Sequence, residues 1–183
     1  EVVGDNHLPF SIVGHGAVLG GSIAIDASAS SQFVSALLLA APRYNAGVRV
    51  SHNGPPVPSL PHIDMTVACL RERGVLVDDS QPDHWVVHPG PVAAMDVIIE
   101  PDLSNAAPFL ILAMVSGGRV TVADWPGHTT QAGDILREIL TAMGAQVTQG
   151  PNGLSVAAGD GIHGIDLDLH DHGELTPALA ALC

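Results

Sequence analysis

Apolar runs along this chain alternate with short polar turns and closing glycines, in an order that recurs. From Ser22 the chain reads SIAID, then a hydroxyl-rich ASASSQ, then the apolar FVSALLLAA, then GVRV. From Asp96 the same order returns as DVIIE, PDLSNAAP, FLILAMV and GGRVTV. Alternation over four or five residues predicts a strand, and an unbroken apolar run of helical length predicts a buried helix. The downstream halves agree as well. HIDMTVACLRERG from His62 and QAGDILREILTAMG from Gln131 read as amphipathic helices, each followed by strand, turn and strand. In the second helix Ile135, Leu136, Ile139, Leu140 and Met143 share one stripe. Gly74 and Gly144 follow the last periodic positions, where a left-handed residue without a Cβ closes a helix.

The repeating unit is β-α-β-α-β-β with a period of about 74 residues, which makes the fold class α/β. A third copy opens at Ile165 with IDLDL, HDHGEL and TPALAALC. The pattern therefore predicts strands at 96–100 and 165–169 and a helix over Leu175–Cys183. Pro108 conflicts with a helix interior but not with a first turn, whose N–H groups lack partners anyway. The expected helix accordingly begins near Asn105, capped by Ser104 or Asn105.

Composition narrows the function classes. Hydrophobic residues make up 46% of the 183 and aromatics 3%, so the core must be aliphatic. The formal net charge is -13, with no Lys and six Arg. No basic face for nucleic acid can be built from that set, and an acidic chain is not drawn to an anionic membrane. The longest apolar runs, Phe33–Pro42 and Ala106–Val115, fall well short of the roughly 20 residues that cross a bilayer. No signal peptide is evident. Two cysteines, Cys69 and Cys183, in unrelated contexts read as a reducing, cytoplasmic setting without a disulfide framework. The start at Glu1 without Met, and the stop at Cys183 inside an expected helix, lead us to expect an internal piece of a longer polypeptide.

Three turns carry candidate chemistry. Ser28–Gln32 sets adjacent hydroxyls at a helix N-terminus, where free N–H groups and the helix dipole favour an anion; the plainer alternative is N-capping by Ser. In VPSLPHID, Ser59 precedes a Pro-bounded helix start and His62 falls in its first turn. Ser59 suits a phosphate contact and His62 a polar contact, against a plain cap and solvated surface. His170–Glu174 (HDHGE) places two His and two carboxylates before an apolar helix. A carboxylate there suits proton transfer, whereas tight spacing in one turn is a weak metal signal and an acidic first turn is the simpler account. No Walker motif, GxGxxG or CxxC is present, and Gly14–Gly21 reads as a glycine-rich turn.

DASASSQFVSALLLAAP is similar to the SSQF-x-TALL segment of the 5-enolpyruvylshikimate-3-phosphate synthases. VPSLPHIDMTVACLRERGV resembles their S-x-P-Y-ID-x-T segment, and EPDLSNAAPFLILAMVSGG their E-x-D-x-S-x-A-x-F segment. The Gln131–Asp134 turn and the helix ending in MGA match too. The resemblance runs from about Ser22 to the end of the chain. It implies an inverse α/β-barrel architecture of two domains, each of three β-α-β-α-β-β units. Residues 1–98 would close the first domain and 99–183 open the second. The implied reaction moves the enolpyruvyl group of phosphoenolpyruvate to the 5-hydroxyl of shikimate 3-phosphate and releases phosphate, with no metal or cofactor and a monomeric full-length enzyme. By the same resemblance Ser30 and Ser31 would hold shikimate 3-phosphate, Gln32 would reach both substrates, and Ser59 would bind the 3-phosphate. Glu174, where the family usually carries Asp, would take the 5-hydroxyl proton. His62 stands where many members carry Tyr. The family's Lys and Arg ligands fall outside this chain, so it is expected to show no turnover alone.

Three rivals remain at this stage. The transferase that adds enolpyruvate to UDP-N-acetylglucosamine shares fold and chemistry, but SSQF and S-x-P-x-ID favour the shikimate enzymes. An RNA 3′-phosphate cyclase should show a basic face. A non-catalytic repeat module would bind through apolar surface left by an unfinished third unit, whose helix is expected to stay unburied.

Overall fold

The computed structural model describes residues 2–3 and 8–183. After a small antiparallel ladder between β1 (Val2–Val3) and β2 (Ser11–Ile12), the first repeat unit forms all six expected elements. They are β3 (Gly21–Ile25), α1 (Gln32–Ala40), β4 (Val48–His52), α2 (Leu60–Glu72), β5 (Val77–Asp78) and β6 (His84–Val87). The strands form one sheet in the order β3-β4-β6-β5, with β3 parallel to β4 and the other pairs antiparallel.

The parallel pairing requires α1 to cross back over the sheet, so α1 and α2 both start at the carboxyl edge of β3 and β4. Val48, Val50 and His52 point to the helices while Arg49 and Ser51 face away, as the two-residue period of a strand dictates. Val34, Leu38, Ile63, Val67 and Trp85 complete this unit's core.

The second unit repeats the plan with α3 (Leu103–Ser116), β7 (Arg119–Val122), α4 (Leu136–Ala142), β8 (Gln146–Gly150) and β9 (Gly153–Ala157). Its sheet order β7-β9-β8 matches β4-β6-β5 strand for strand. The expected opening strand at 96–100 is absent. That segment pairs with no strand, the outer edge of β7 stays without a ladder partner among the described residues, and Ile98 and Ile99 are almost fully exposed. The expected strand at 165–169 is likewise absent. Leu136, Ile139, Leu140 and Met143 are buried and Ile135 packs on them, as the stripe predicts. Gly74 and Gly144 close their helices at positive φ, 76° and 97°.

One helix start differs from expectation. α3 begins at Leu103, and its cap is Asp102, whose carboxylate accepts the Asn105 N–H at 2.9 Å. Neither Ser104 nor Asn105 caps it. Pro108 therefore lies inside the helix rather than in its first turn, and the Ser104 carbonyl loses its usual donor four residues on.

The third unit contributes a 3₁₀ turn at His170–Leu175 and a short α5 (Thr176–Ala180), shorter than the predicted Leu175–Cys183 helix. Its apolar face is not left bare. Leu175, Leu179 and Leu182 are buried in the second unit's core beside Leu103, Leu110 and Leu154.

Candidate functional site

α1 and α2 pack along one another, and a hydrogen bond between the Thr66 and Ser35 hydroxyls (3.0 Å) ties them together. One turn back from that bond stand Ser31 on α1 and His62 on α2. Ser35 donates its N–H to the Ser31 carbonyl, and Thr66 its hydroxyl to the His62 carbonyl at 2.9 Å. The first turns of the two helices, with their positive dipole ends, thus open side by side.

At α1, Ser30 Oγ accepts the Gln32 N–H at 3.2 Å, a turn bond from the residue before the cap position, where the anticipated side-chain N-capping is not made. The Ser30 hydroxyl keeps its own proton to donate. Ser31 is buried, and its side chain makes no cap hydrogen bond. Gln32 is exposed. Behind the turn, the buried His52 accepts the Ala27 N–H on Nδ1 (3.1 Å), and its Nε2 lies 2.7 Å from the Pro55 carbonyl. Those two bonds select the tautomer with the proton on Nε2. They also fasten together the loops that leave β3 and β4, which deliver Ser30–Gln32 and Ser59.

Ser59 has left-handed backbone angles (φ 53°, ψ 48°) and does not cap α2 with its side chain. A non-glycine residue in that region carries strain that its surroundings must offset. Here the Ser59 N–H is bonded to the carbonyl of His170 at 3.3 Å. The hydroxyl stands against Gly173, 3.9 Å from where a Cβ on that glycine would sit. His62 Nε2 lies 3.6 Å from Glu174 Oε1. The 170–174 turn is therefore seated on the first turn of α2.

Glu174 comes together with Ser59 and His62 although more than 100 residues separate it from both in sequence. No hydrogen bond joins Ser30, Ser31 or Gln32 to that trio among the described residues. Their proximity follows from the paired helix starts.

Glu174 has a divided environment. Its stem is partly exposed, while both carboxylate oxygens are sealed from solvent and accept no hydrogen bond among the described residues; His172 Nδ1 is similarly sealed. On α2, burial first, then the charges of Asp79 and Asp171, push the Asp64 carboxyl above its ordinary value. His170 and Asp171, offered by sequence as possible ligands alongside His172 and Glu174, form no three-residue metal-ligand group among the described residues.

A second polar network escaped the sequence reading and supports the site from below. The Gln131 amide accepts the Leu103 N–H (3.0 Å) and donates to the Pro101 carbonyl and to Glu100 Oε2 (2.8 Å), which also takes the Thr129 hydroxyl at 2.6 Å. Asp134 accepts from the Trp125 indole at 2.8 Å and from Arg137, which also binds Gln149. The Gln131–Asp134 motif was the only signal of this in sequence. An open groove of about 380 Å³ lies on the helix-free face of the first sheet, lined by Ser22, Arg49, Ser51 and His84, away from these residues.

Comparison with known proteins agrees over nearly the whole chain. Residues 2–183 match the family model described as EPSP synthase (3-phosphoshikimate 1-carboxyvinyltransferase). A curated 3-phosphoshikimate 1-carboxyvinyltransferase from Kocuria rhizophila is 51% identical over 177 residues, 96% of this chain and 40% of the relative. An EPSP synthase structure from Acinetobacter baumannii superposes with a TM-score of 0.71 at 23% identity, covering 100% of this chain and 42% of that one. An enolpyruvyl transferase from Streptomyces tendae gives 0.57 at 20% identity, covering 91% and 42%. The chain thus spans about two fifths of the length of these relatives. No helix among the described residues is long and apolar enough to cross a membrane.

Proposed function

Because the chain belongs to the EPSP synthase (3-phosphoshikimate 1-carboxyvinyltransferase) family, we propose that it supplies the shikimate 3-phosphate side of an active site. That site transfers the enolpyruvyl group of phosphoenolpyruvate to the 5-hydroxyl of shikimate 3-phosphate and releases phosphate. The observation that carries this reading is the seating of the 170–174 turn on α2, which brings Ser59 and Glu174 together at the mouth of two helix N-termini.

A phosphate at that mouth meets the dipole ends of α1 and α2 and the hydroxyls of Ser30, Ser31 and Ser59. A chain of net charge -13 without Lys has few other means of holding an anion. Gln32 reaches toward both substrates, and Glu174 takes the 5-hydroxyl proton on a carboxylate oxygen. Remaining groups for phosphoenolpyruvate come from outside this chain.

The reading extends to architecture and setting. Residues 1–98, of which 1 and 4–7 lie outside the described residues, would close one inverse-barrel domain and 99–183 open the other. Two separate hydrophobic clusters, one on each side of that boundary, favour the division. A monomeric cytoplasmic enzyme is the setting we infer.

Calorimetric titration of the chain with shikimate 3-phosphate tests the assignment. Ser59→Gly keeps the left-handed backbone and removes only the hydroxyl. Loss of one hydrogen bond to a charged group should weaken binding about 10- to 100-fold. Equal affinity of the two proteins would contradict the role of Ser59.

A further inference from the structure

Glu174 presents two sealed carboxylate oxygens with no donor, and a buried carboxylate in that state is costly. Among the described residues, one basic side chain stands within ion-pair reach of it, His62, at 3.6 Å. The two differ in how firmly they are held. His62 sits in the first turn of α2 with Ile63 and Thr66 buried beside it, its N–H bonded to the Ser59 carbonyl and its own carbonyl bonded by Thr66. Glu174 rides on a 3₁₀ turn interrupted by non-helical angles at His172. The helix-held partner therefore sets the position of the one carried on the turn.

A shift of about 0.7 Å brings the pair to ordinary hydrogen-bond distance. On the same helix as His62, Asp64 feels the charges of Asp79 and Asp171, Asp79 is paired with Arg71, and on the turn His172 Nδ1 is sealed without a hydrogen-bond partner among the described residues. Glu174 and His62 are also two of the positions at which this chain departs from the pattern it resembles, and they face each other.

We propose that His62 is a positioning residue for Glu174, donating from Nε2 to one carboxylate oxygen so that the other is aimed at the substrate hydroxyl. This rests on the reading of Glu174 as the group that accepts the 5-hydroxyl proton. In that step the substrate O–H bond breaks and an O–H bond forms on the free carboxylate oxygen. The imidazole proton stays on His62.

Steady-state kinetics of the enzyme-length polypeptide carrying this segment test the proposal. His62→Phe removes the donor and should lower kcat on the order of 10²-fold, the scale of an ångström of misplacement, with KM for shikimate 3-phosphate changed less than about threefold. His62→Gln, which keeps an N–H donor, should recover most of the loss. Combining His62→Phe with Glu174→Gln should be no worse than Glu174→Gln alone, since residues acting as one unit are not additive. A change in KM only, no change in kcat, or a double variant equal to the product of the singles would overturn it.

Should the unaltered polypeptide transfer no enolpyruvyl group, the reading of the site fails. The pairing is then decided on the 183-residue chain by exchange of the His172 and Thr176 amides, which close the turn on the Leu169 and Gly173 carbonyls. Exchange about tenfold faster in His62→Phe but not in His62→Gln supports the pairing. Equal rates in all three overturn it.

Discussion

Gly133→Ala isolates how the site is held from beneath. A Cβ built on Gly133 falls 2.7 Å from the Ser104 nitrogen, 2.8 Å from the Leu103 carbonyl carbon and 2.9 Å from the Leu103 Cβ. All three belong to the start of α3, which cannot rotate away as a side-chain tip would. Either the 131–135 turn or the helix start must move, and overpacking of this kind costs about 1–3 kcal/mol. The lost chain entropy of glycine returns about 0.4–1 kcal/mol, which leaves a net destabilisation of about 1–2 kcal/mol. Gly150→Ala is the internal control, because nothing lies within 4 Å of its added Cβ. It should be neutral or slightly stabilising. Urea denaturation followed by circular dichroism reads both. With a slope of about 2 kcal/mol/M, Gly133→Ala should lower the midpoint by about 0.5–1 M at unchanged slope. A Gly133→Ala midpoint at or above that of Gly150→Ala would refute the close approach.

Other consequences can be checked separately. Ser28 holds the Asp26 carboxyl below its ordinary value, first through its hydroxyl and then its N–H. A lowered carboxyl contributes stability that is present above its unfolded value, about 3.9, and lost as pH falls through its folded value. Ser28→Ala should therefore move the Asp26 titration upward by NMR and erase that part of the acid limb; an unmoved midpoint would refute this. His52→Leu leaves the Ala27 N–H and the Pro55 carbonyl unpaired, and thermal or urea unfolding should show a loss of about 2–4 kcal/mol. A cost under 0.5 kcal/mol would mean that the two loops are fastened otherwise. Asp134→Ala removes the acceptor of the buried Trp125 indole, so tryptophan emission should shift to the red with a stability loss of about 1–3 kcal/mol. An unaltered spectrum would contradict that contact.

The repeat was legible because its signals are local. An apolar run of helical length, a hydroxyl-rich turn before it and a glycine after it are each written within a dozen residues, and the first unit forms as read. Strands 96–100 and 165–169 were misread because alternation describes one face of a strand, while a strand also needs a neighbour, which local pattern does not record. Asp102 took the cap from Ser104 and Asn105 by standing one residue before the helix, a boundary that apolar periodicity fixes only loosely. The expectation of an unburied final helix failed because Leu175, Leu179 and Leu182 found the second unit's core instead of waiting for a third.

The candidate site divides along the same line. Ser30, Ser31, Gln32 and Ser59 stand out in sequence as hydroxyls and an amide at helix starts. The left-handed backbone of Ser59, its bond to the His170 carbonyl and the facing of His62 and Glu174 depend on segments more than 100 residues apart meeting in space. Gln131 reads in sequence as part of a turn. In the structure its one amide pins the Leu103 N–H, the Pro101 carbonyl and Glu100 together, holding the start of α3 in place.

The central claim, that the paired helix starts form a shikimate 3-phosphate half-site, is met most directly by an NMR titration of the chain with shikimate 3-phosphate, with UDP-N-acetylglucosamine as control. The account predicts amide shifts centred on Ser30–Gln32, Ser59 and the 170–174 turn with the first ligand and none with the second. Shifts with the nucleotide sugar alone, or shikimate 3-phosphate shifts confined to the far sheet face around Arg49 and His84, would contradict it.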